Sequence, residues 1–587
     1  MDVQTENPFG STYSKRQLLG GFWRLSKPYW FSEERWAARG MLLLVVALNL
    51  AWVYLIVKVN TWYQKFYDAV QKLDEKAFWS LILYFCGLAA AAILIWVYRQ
   101  FITQTLQNRW RKWMTHRFLE QWMSEKSHYL WQLSDKTTDN PDQRISEDVR
   151  DFVNNSIGLS TGLLNQVVTL ASFIGILWTL SGPLDIPLGG GRSFPLPGYM
   201  AWVCLLYASA ATWITHRIGR PLIALNYRQQ LVEANFRFGL VRLRENGESV
   251  ALSDGEAVEQ AGLKGHFSYV YSNFRGIIRK NMHLGFFTIG YDQIASIFPL
   301  VVAAPRFFAK VITLGVLMQI SNAFDKVKEA LSWVVDNYGT LAYWRSVVER
   351  LDGFEAEVER TKAMHQAAQN VLRYSTTQGS IRLERVALSV PGNPQPLTTP
   401  LDFEFMKGHS LLISGQSGCG KSTLFRALYG IWPFAEGRVT LPENAKVMVM
   451  PQKPYLPVGT LKAAFAYPKP EAEVSEAEMA RVLSTCRLDH LRGQLQVPDN
   501  WALVLSVGEQ QRVAWARVFL QKPDWIFLDE ATSALDEDAQ VRLYAALKTQ
   551  LPGTTMVSVA HRQNPEEHHE SVWNLQLLTH ARTIPAT

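Results

Sequence analysis

Residues 411–423 read LLISGQSGCGKST, an apolar run that breaks into Gly415, Gln416, Ser417, Gly418, Cys419, Gly420, Lys421, Ser422 and Thr423 before the helix-like LFRALYG. Strand, glycine-rich turn and helix in that order make a phosphate cradle. The glycines let backbone N–H groups converge on an anion at a helix N-terminus, Lys421 neutralises β- and γ-phosphate charge, and the Ser422 hydroxyl is suited to Mg²⁺. Further on, WIFLDE ends a second apolar run in Asp529 and Glu530. Asp529 suits a Mg²⁺ contact, and Glu530 is placed to polarise an attacking water.

Around this pair of motifs, from Ile381 onward, short apolar runs alternate with helical stretches, the pattern of an α/β domain. Before it, VVERLDGFEAEVERTKAMHQAAQ is charged and helix-like and leads into TTQGS. The expected division is residues 1–355, a linker over 356–378, and the α/β domain over 379–587.

The first division is of another kind. The chain as a whole has 587 residues, 48% hydrophobic and 19% charged, with 21 Trp. That excludes a disordered polyelectrolyte. Its mean hydropathy of −0.05 averages two unlike halves. Uncharged runs long enough to cross ~30 Å of hydrocarbon at ~1.5 Å per residue fall at Gly40–Val57, Ala77–Tyr98, Phe152–Leu184 and Ser193–His216. Asn281–Pro305 carries only Asp292, and Phe307–Phe324 is interrupted by Lys310, which can snorkel. Six transmembrane helices are expected. Phe22–Glu34, with Trp23, Tyr29 and Trp30, reads as an interfacial segment.

Lys and Arg number six up to residue 39, and nine and ten in the long connections 99–155 and 217–280. In the short connections 58–76, 185–192 and Arg306 they number four, one and one. Basic residues stay cytoplasmic, so both termini and both long connections are expected inside. The net charge of +7 is then topological, and no basic and aromatic interleaved motif points to nucleic acid. The long connections are helix-forming and are expected to continue into the cytosol. Cys86, Cys204, Cys419 and Cys486 are too scattered for a disulfide framework or zinc ribbon and are expected as free thiols. The N-terminus MDVQTENPFGSTYSKRQ lacks the apolar core of a cleavable signal.

With these motifs in order, residues 381–580 resemble the nucleotide-binding domain of ATP-binding-cassette (ABC) proteins. The resemblance assigns Gln452 in PQKPYLPVGT to the Q-loop, which senses Mg²⁺ and the membrane domain. It assigns LSVGEQQR (505–512) to the signature, Asp536 in ATSALDE to the D-loop and His561 in SVAHR to the switch histidine. Ser506 and Gly508, which by resemblance contact the γ-phosphate bound to the opposite subunit, are retained, whereas Val507 and Glu509 replace the usual Gly and Gln. Val390 stands where many cassettes stack an aromatic on adenine, which shifts the expected affinity toward phosphate contacts.

The implied catalytic set is Glu530, His561, Gln452 and Lys421, the implied metal set Ser422, Gln452 and Asp529, and the implied cofactors ATP and Mg²⁺. The long cytosolic connections after spans two and four resemble the exporter-type ABC fold, an α-helical membrane domain with six transmembrane helices fused to an α/β P-loop ATPase, and one cassette with six spans resembles a half-transporter. As a half-transporter it must dimerise, most simply as a homodimer.

DNPDQRISEDVRDF (139–152), EANFRFGLVRLRENGESVA (233–251) and the stretch from FPLVVAAPRFFA to DNY (298–338) resemble the bacterial SbmA/BacA-like group with its cassette-bearing YddA-like members, and the peroxisomal fatty-acyl-CoA transporters. The resemblance implies ATP-driven transport across a bacterial inner membrane, with uptake of hydrophilic or amphipathic solutes such as peptides or cobalamin favoured. An exporter of amphipathic compounds and an ATP-gated channel are the alternatives. Asp292 is the candidate substrate residue, equally readable as an acid at a hydrated span end. Asn165 and Gln166 in the third span, and Gln319 and Asn322 in the sixth, either line the same cavity or bond between helices.

Overall fold

The computed structural model describes residues 14–134, 140–187, 193–371, 373–377, 379–391, 393–416, 418–559 and 569–575. Two compact units divide the chain: Met1–Glu120 with Asp139–Glu355, and Gln121–Thr138 with Ala356–Thr587.

In the first unit the hydrophobic runs lie on helices α1 (Arg35–Gln71), α2 (Glu75–Met123), α3 (Val149–Ser181), α4 (Tyr199–Glu245), α5 (Glu256–Phe308) and α6 (Leu314–Asp336). Four of them, α1, α2, α3 and α5, are long and apolar enough to cross a membrane. The 49 residues of α2 and 53 of α5 correspond to roughly 70–80 Å, more than twice the hydrocarbon thickness. The long connections are therefore continuations of these helices.

Three sequence expectations are corrected. Leu184 and Ser193 belong to an antiparallel hairpin, Pro183–Pro187 with Ser193–Pro197, so α3 stops at Ser181 and α4 starts at Tyr199. Gly198 has φ +64° and a Cβ there would lie 2.5 Å from the Trp178 ring, so only glycine closes this corner.

The sixth helix is not Phe307–Phe324. Phe307 and Phe308 end α5, Lys310 sits in the turn with φ 60°, and α6 begins at Leu314. Its start is fixed by polar groups of α1: Asp68 Oδ1 accepts from Gly315 N at 2.9 Å and Gln71 Oε1 from Leu314 N at 3.0 Å. A Cβ at Gly315 would come within 2.0 Å of Gln64 O, so the glycine permits this close approach. Asp325, Lys326, Lys328 and Glu329 lie inside α6 and displaced the uncharged window upstream of the true helix.

Tyr29 is not at headgroup level. The N-terminal helix Lys15–Trp30 buries it completely, stacked on Trp110 at 5.4 Å, while Trp23 on the same helix is exposed. Within the 139–152 stretch Asp148 is buried, paired with Arg144, and held by both Nη2 and Nε of Arg350 at 2.6 and 2.9 Å.

The second unit is built on a five-stranded parallel sheet in the order Ser571–Asn574, Leu411–Ser414, Thr555–Val559, Trp525–Asp529, Val447–Met450. WIFL and the Thr555–Val559 strand are buried throughout, as expected of strands covered on both faces. A second sheet joins Ser380–Val390 antiparallel to Leu401–Met406 and Ala435–Pro442. Residues 356–378 hold the end of the helix Tyr338–Val371 and the strand Arg373–Thr377, which pairs with Ala435–Pro442. Gln121–Thr138 belongs to this unit: Leu133 packs on its core and Lys126 Nζ lies 4.6 Å over the Tyr429 ring.

Candidate nucleotide site

The central strands deliver the site to one edge of the parallel sheet. Leu411–Ser414 runs into the phosphate loop, and Trp525–Asp529 ends at the acidic pair. Gly415, Gly418 and Gly420 have φ of 152°, 80° and 97°, and a Cβ on Gly415 would meet Leu575 O at 2.6 Å. The loop ends in the helix Lys421–Leu428, whose free N–H groups favour an anion. Lys421 is buried, with Nζ donating to Gly415 O at 2.7 Å and Gln416 O at 2.9 Å, which folds the loop around its own ammonium. Cys419 is buried beneath it.

Ser422 Oγ donates to Asp529 Oδ1 at 2.8 Å, and Gln452 Nε2 donates to Glu530 Oε2 at 2.8 Å. Burial pushes the Asp529 carboxyl above its usual value, with the Ser422 bond opposing. A desolvated carboxylate beside a hydroxyl is an oxygen donor set suited to Mg²⁺. Among the described residues no group of three or more His, Cys, Asp or Glu could hold a metal alone. An ion arriving with nucleotide phosphates would find protein oxygens on Ser422, Asp529 and Gln452 and would supply charge neutralisation there. Glu530 has φ 49°, and its N–H donates to Val559 O at 3.0 Å, which fixes the residue where the strand ends. Ser417 and His561 lie outside the described residues, and Thr423 is on the first turn of the Lys421–Leu428 helix.

The signature sits elsewhere in this unit. Ser506 caps the helix Val507–Gln521 in a reciprocal box with Glu509: Glu509 N donates to Ser506 Oγ at 3.3 Å, and Ser506 N donates to Glu509 Oε2 at 2.9 Å. Burial raises the Glu509 carboxyl, but the bonds from Ser506 and His490 outweigh it and hold the group below its usual value. Glu509 in place of Gln is thus a capping acid, favourable at a helix N-terminus. Gly508 stands 3.1 Å, measured from its would-be Cβ, from Ala534 O.

Gln511 went unnoticed in the sequence although it lies inside the signature. It is 1% exposed and donates to Gln452 O at 3.2 Å and Ser533 Oγ at 3.1 Å, while Ala534 N donates to its Oε1 at 3.0 Å. One amide ties signature helix, Q-loop and D-loop segment together. Asp536 caps the helix Glu537–Gln550 through Ala539 N. Val390 ends its strand half-buried.

In the first unit Asp292 Oδ1 lies 3.2 Å from Lys328 Nζ and borders a cavity with Asn322, whereas Gln319 offers its main-chain oxygen to Asn60.

Fold and site together define a P-loop ATPase joined to a helical membrane domain, and comparison with known proteins gives the family. Residues 25–308 match the family model of ABC transporter transmembrane region 2, and residues 398–533 the family model ABC transporter. The chain is 31% identical over 564 residues to the inner membrane ABC transporter ATP-binding protein YddA of Escherichia coli (strain K12), covering 95% of this chain and 97% of that protein. It is 26% identical over 596 residues to the human (Homo sapiens) lysosomal cobalamin transporter ABCD4, covering 95% of each. The structure of a bacterial Atm1-family ABC exporter with ATP bound shares its fold, with a TM-score of 0.68 at 19% identity over 93% of this chain and 94% of that one. The chain belongs to the ABC transporter family, as a half-transporter of exporter-type fold carrying an ABC ATPase domain.

Proposed function

We propose that this protein is a homodimeric, ATP-driven transporter of the bacterial inner membrane, with six spans and both termini cytoplasmic, that takes up hydrophilic or amphipathic solutes. ATP and Mg²⁺ bind at residues 415–423 with Asp529 and Gln452, Glu530 polarises the attacking water, and His561 and Lys421 stabilise the γ-phosphate. Ser506 and Gly508 complete the site of the other subunit. The reading rests on one contrast: Ser422–Asp529 and Gln452–Glu530 are assembled within a single chain, while Ser506 is exposed and bonded only within its own cap among the described contacts. A hydrophilic solute is supported by the relative that is a cobalamin transporter by name, and the bacterial inner membrane by YddA.

The test is vectorial transport in proteoliposomes preloaded with peptides, cobalamin or acyl-CoA, with ATP available only to outward-facing cassettes. Loss of luminal solute, absent in Glu530→Gln, is expected for uptake. ATP-driven accumulation in the lumen would establish export instead, and equal flux in wild type and Glu530→Gln a channel.

A further inference from the structure

A cavity of about 830 Å³ lies among α1, α2, α3, α5 and α6, within the usual range of small-molecule sites. Its two walls differ. One is apolar and aromatic, formed by Trp52, Tyr63, Phe85 and Ile93. The other carries Asp292, Asp325, Lys326, Lys328 and Glu329, three carboxylates against two ammonium groups.

The lysines are engaged and the acids are not exhausted. Lys328 Nζ lies 3.2 Å from Asp292 and 3.7 Å from Asp325 with its side chain 13% exposed, and Lys326 Nζ lies 2.8 Å from Glu329. Asp292 and Glu329 remain 65% and 57% exposed, and each ionised carboxylate accepts about four hydrogen bonds. A second observation points the same way. Asn60 lines the cavity and is 3% exposed; its Nδ2 donates to Gln319 O at 3.3 Å, but its buried Oδ1 has no hydrogen-bond partner. A buried acceptor left unpaired is unfavourable, and a ligand N–H would relieve it.

We propose that this cavity binds an amphipathic organic cation bearing N–H donors. Its charged nitrogen lies against Asp292 and Glu329, an N–H reaches Asn60 Oδ1, and its apolar body packs on Trp52, Tyr63 and Phe85, where aromatic faces also favour positive charge. The proposal rests on the transport reading above, since it makes this cavity the solute site of the membrane half.

Rhodamine 6G, an aromatic cation with N–H groups, is titrated by fluorescence anisotropy onto the full-length protein in lipid nanodiscs without nucleotide. Empty nanodiscs serve as the blank and fluorescein as the anionic comparison. Rhodamine 6G is expected to bind and fluorescein not, with Asp292→Asn and Glu329→Gln each weakening binding about tenfold or more, the scale of one lost charge-assisted hydrogen bond. Asn60→Leu weakens it less. An ATP-induced rise in Tm identifies the variants that fold, and Glu329→Gln, at an exposed position, carries the test if Asp292→Asn does not.

Equal binding of the two dyes, or affinity unchanged in the carboxylate variants, overturns the proposal and leaves ATP-driven uptake standing. Carboxylate-dependent binding without ATP-driven flux retains the cation site and removes the uptake reading.

Discussion

At the phosphate loop, Lys421, Ser422, Gln452 and Glu530 are each held by another part of the same chain. At the signature, Ser506 turns to Glu509 on its own helix, and the neighbouring Leu503, Val504 and Val507 are 83%, 54% and 59% exposed. The first region has its helix N-terminus and Lys421 placed for an anion, and its carboxylates placed for a cation or a water beside that anion. The second is a capped helix end beside exposed apolar side chains, and in the proposed homodimer it meets phosphate only once the other subunit covers it. The difference teaches how a half-site can be finished in its chemistry yet unfinished in its enclosure. Gln511 is the link, since it ties the outward helix to the Q-loop that holds Glu530.

The sharpest way to break the comparison is Glu530→Gln. Losing the carboxylate proposed to polarise water is expected to lower ATPase kcat by about 10²- to 10⁴-fold while ATP-stabilised dimers persist in size-exclusion chromatography; unchanged turnover would remove Glu530 from the chemistry. Next, Ser506→Arg is expected to reduce ATPase by about 10²-fold, as misplacement in a composite site does, with ATP binding retained. Mixed with Lys421→Ala, it is expected to recover activity well above either parent, since one complete site forms per heterodimer; no recovery would mean each chain works alone. Lys421→Ala by itself is expected to weaken ATP binding about 10- to 100-fold by equilibrium titration.

Smaller effects sharpen the link between the two regions. Gln511→Leu strands buried partners, so a stability loss of about 1–3 kcal/mol is expected with a lowered kcat; a lower Tm with kcat intact would make Gln511 merely structural. Glu509→Gln keeps the box but removes its charge, worth about 0.3–1 kcal/mol at a helix start. Because the folded Glu509 value is depressed, its stabilisation is fully present above the unfolded value of 4.5 and is lost as pH falls through the folded value. The Tm gap between wild type and variant should therefore close below pH 4.5; a gap that persists there points to packing.

The phosphate site was legible because its chemistry demands residues at fixed spacing along one strand–loop–helix unit. Gly415, Lys421, Ser422 and Asp529 could be placed from local sequence, and the structure joins Ser422 to Asp529 across 107 positions. Gln511 was not singled out, since Gln510 and Gln511 are both buried and only the fold shows that Gln511 reaches Gln452 and Ser533 while Gln510 bonds back to Ala502 and Leu505. In the membrane half the hydropathy window found α1, α2, α3 and α5 but misplaced α6. Its charges face Asp292, a partner that only three-dimensional packing supplies. Tyr29 failed for a related reason: an aromatic near a span end reads as interfacial until a Trp110 is seen to cover it.

Composition and motif order by themselves determined a membrane half of apolar helices and a P-loop ATPase half, because hydrocarbon thickness and phosphate binding each impose a local rule on consecutive residues. The tertiary structure alone decided where α6 begins, which glutamine joins signature to Q-loop, and that Asn60, Asp292 and Glu329 share a cavity. Those depend on groups far apart in sequence, whose pairing is set by how the helices and strands pack.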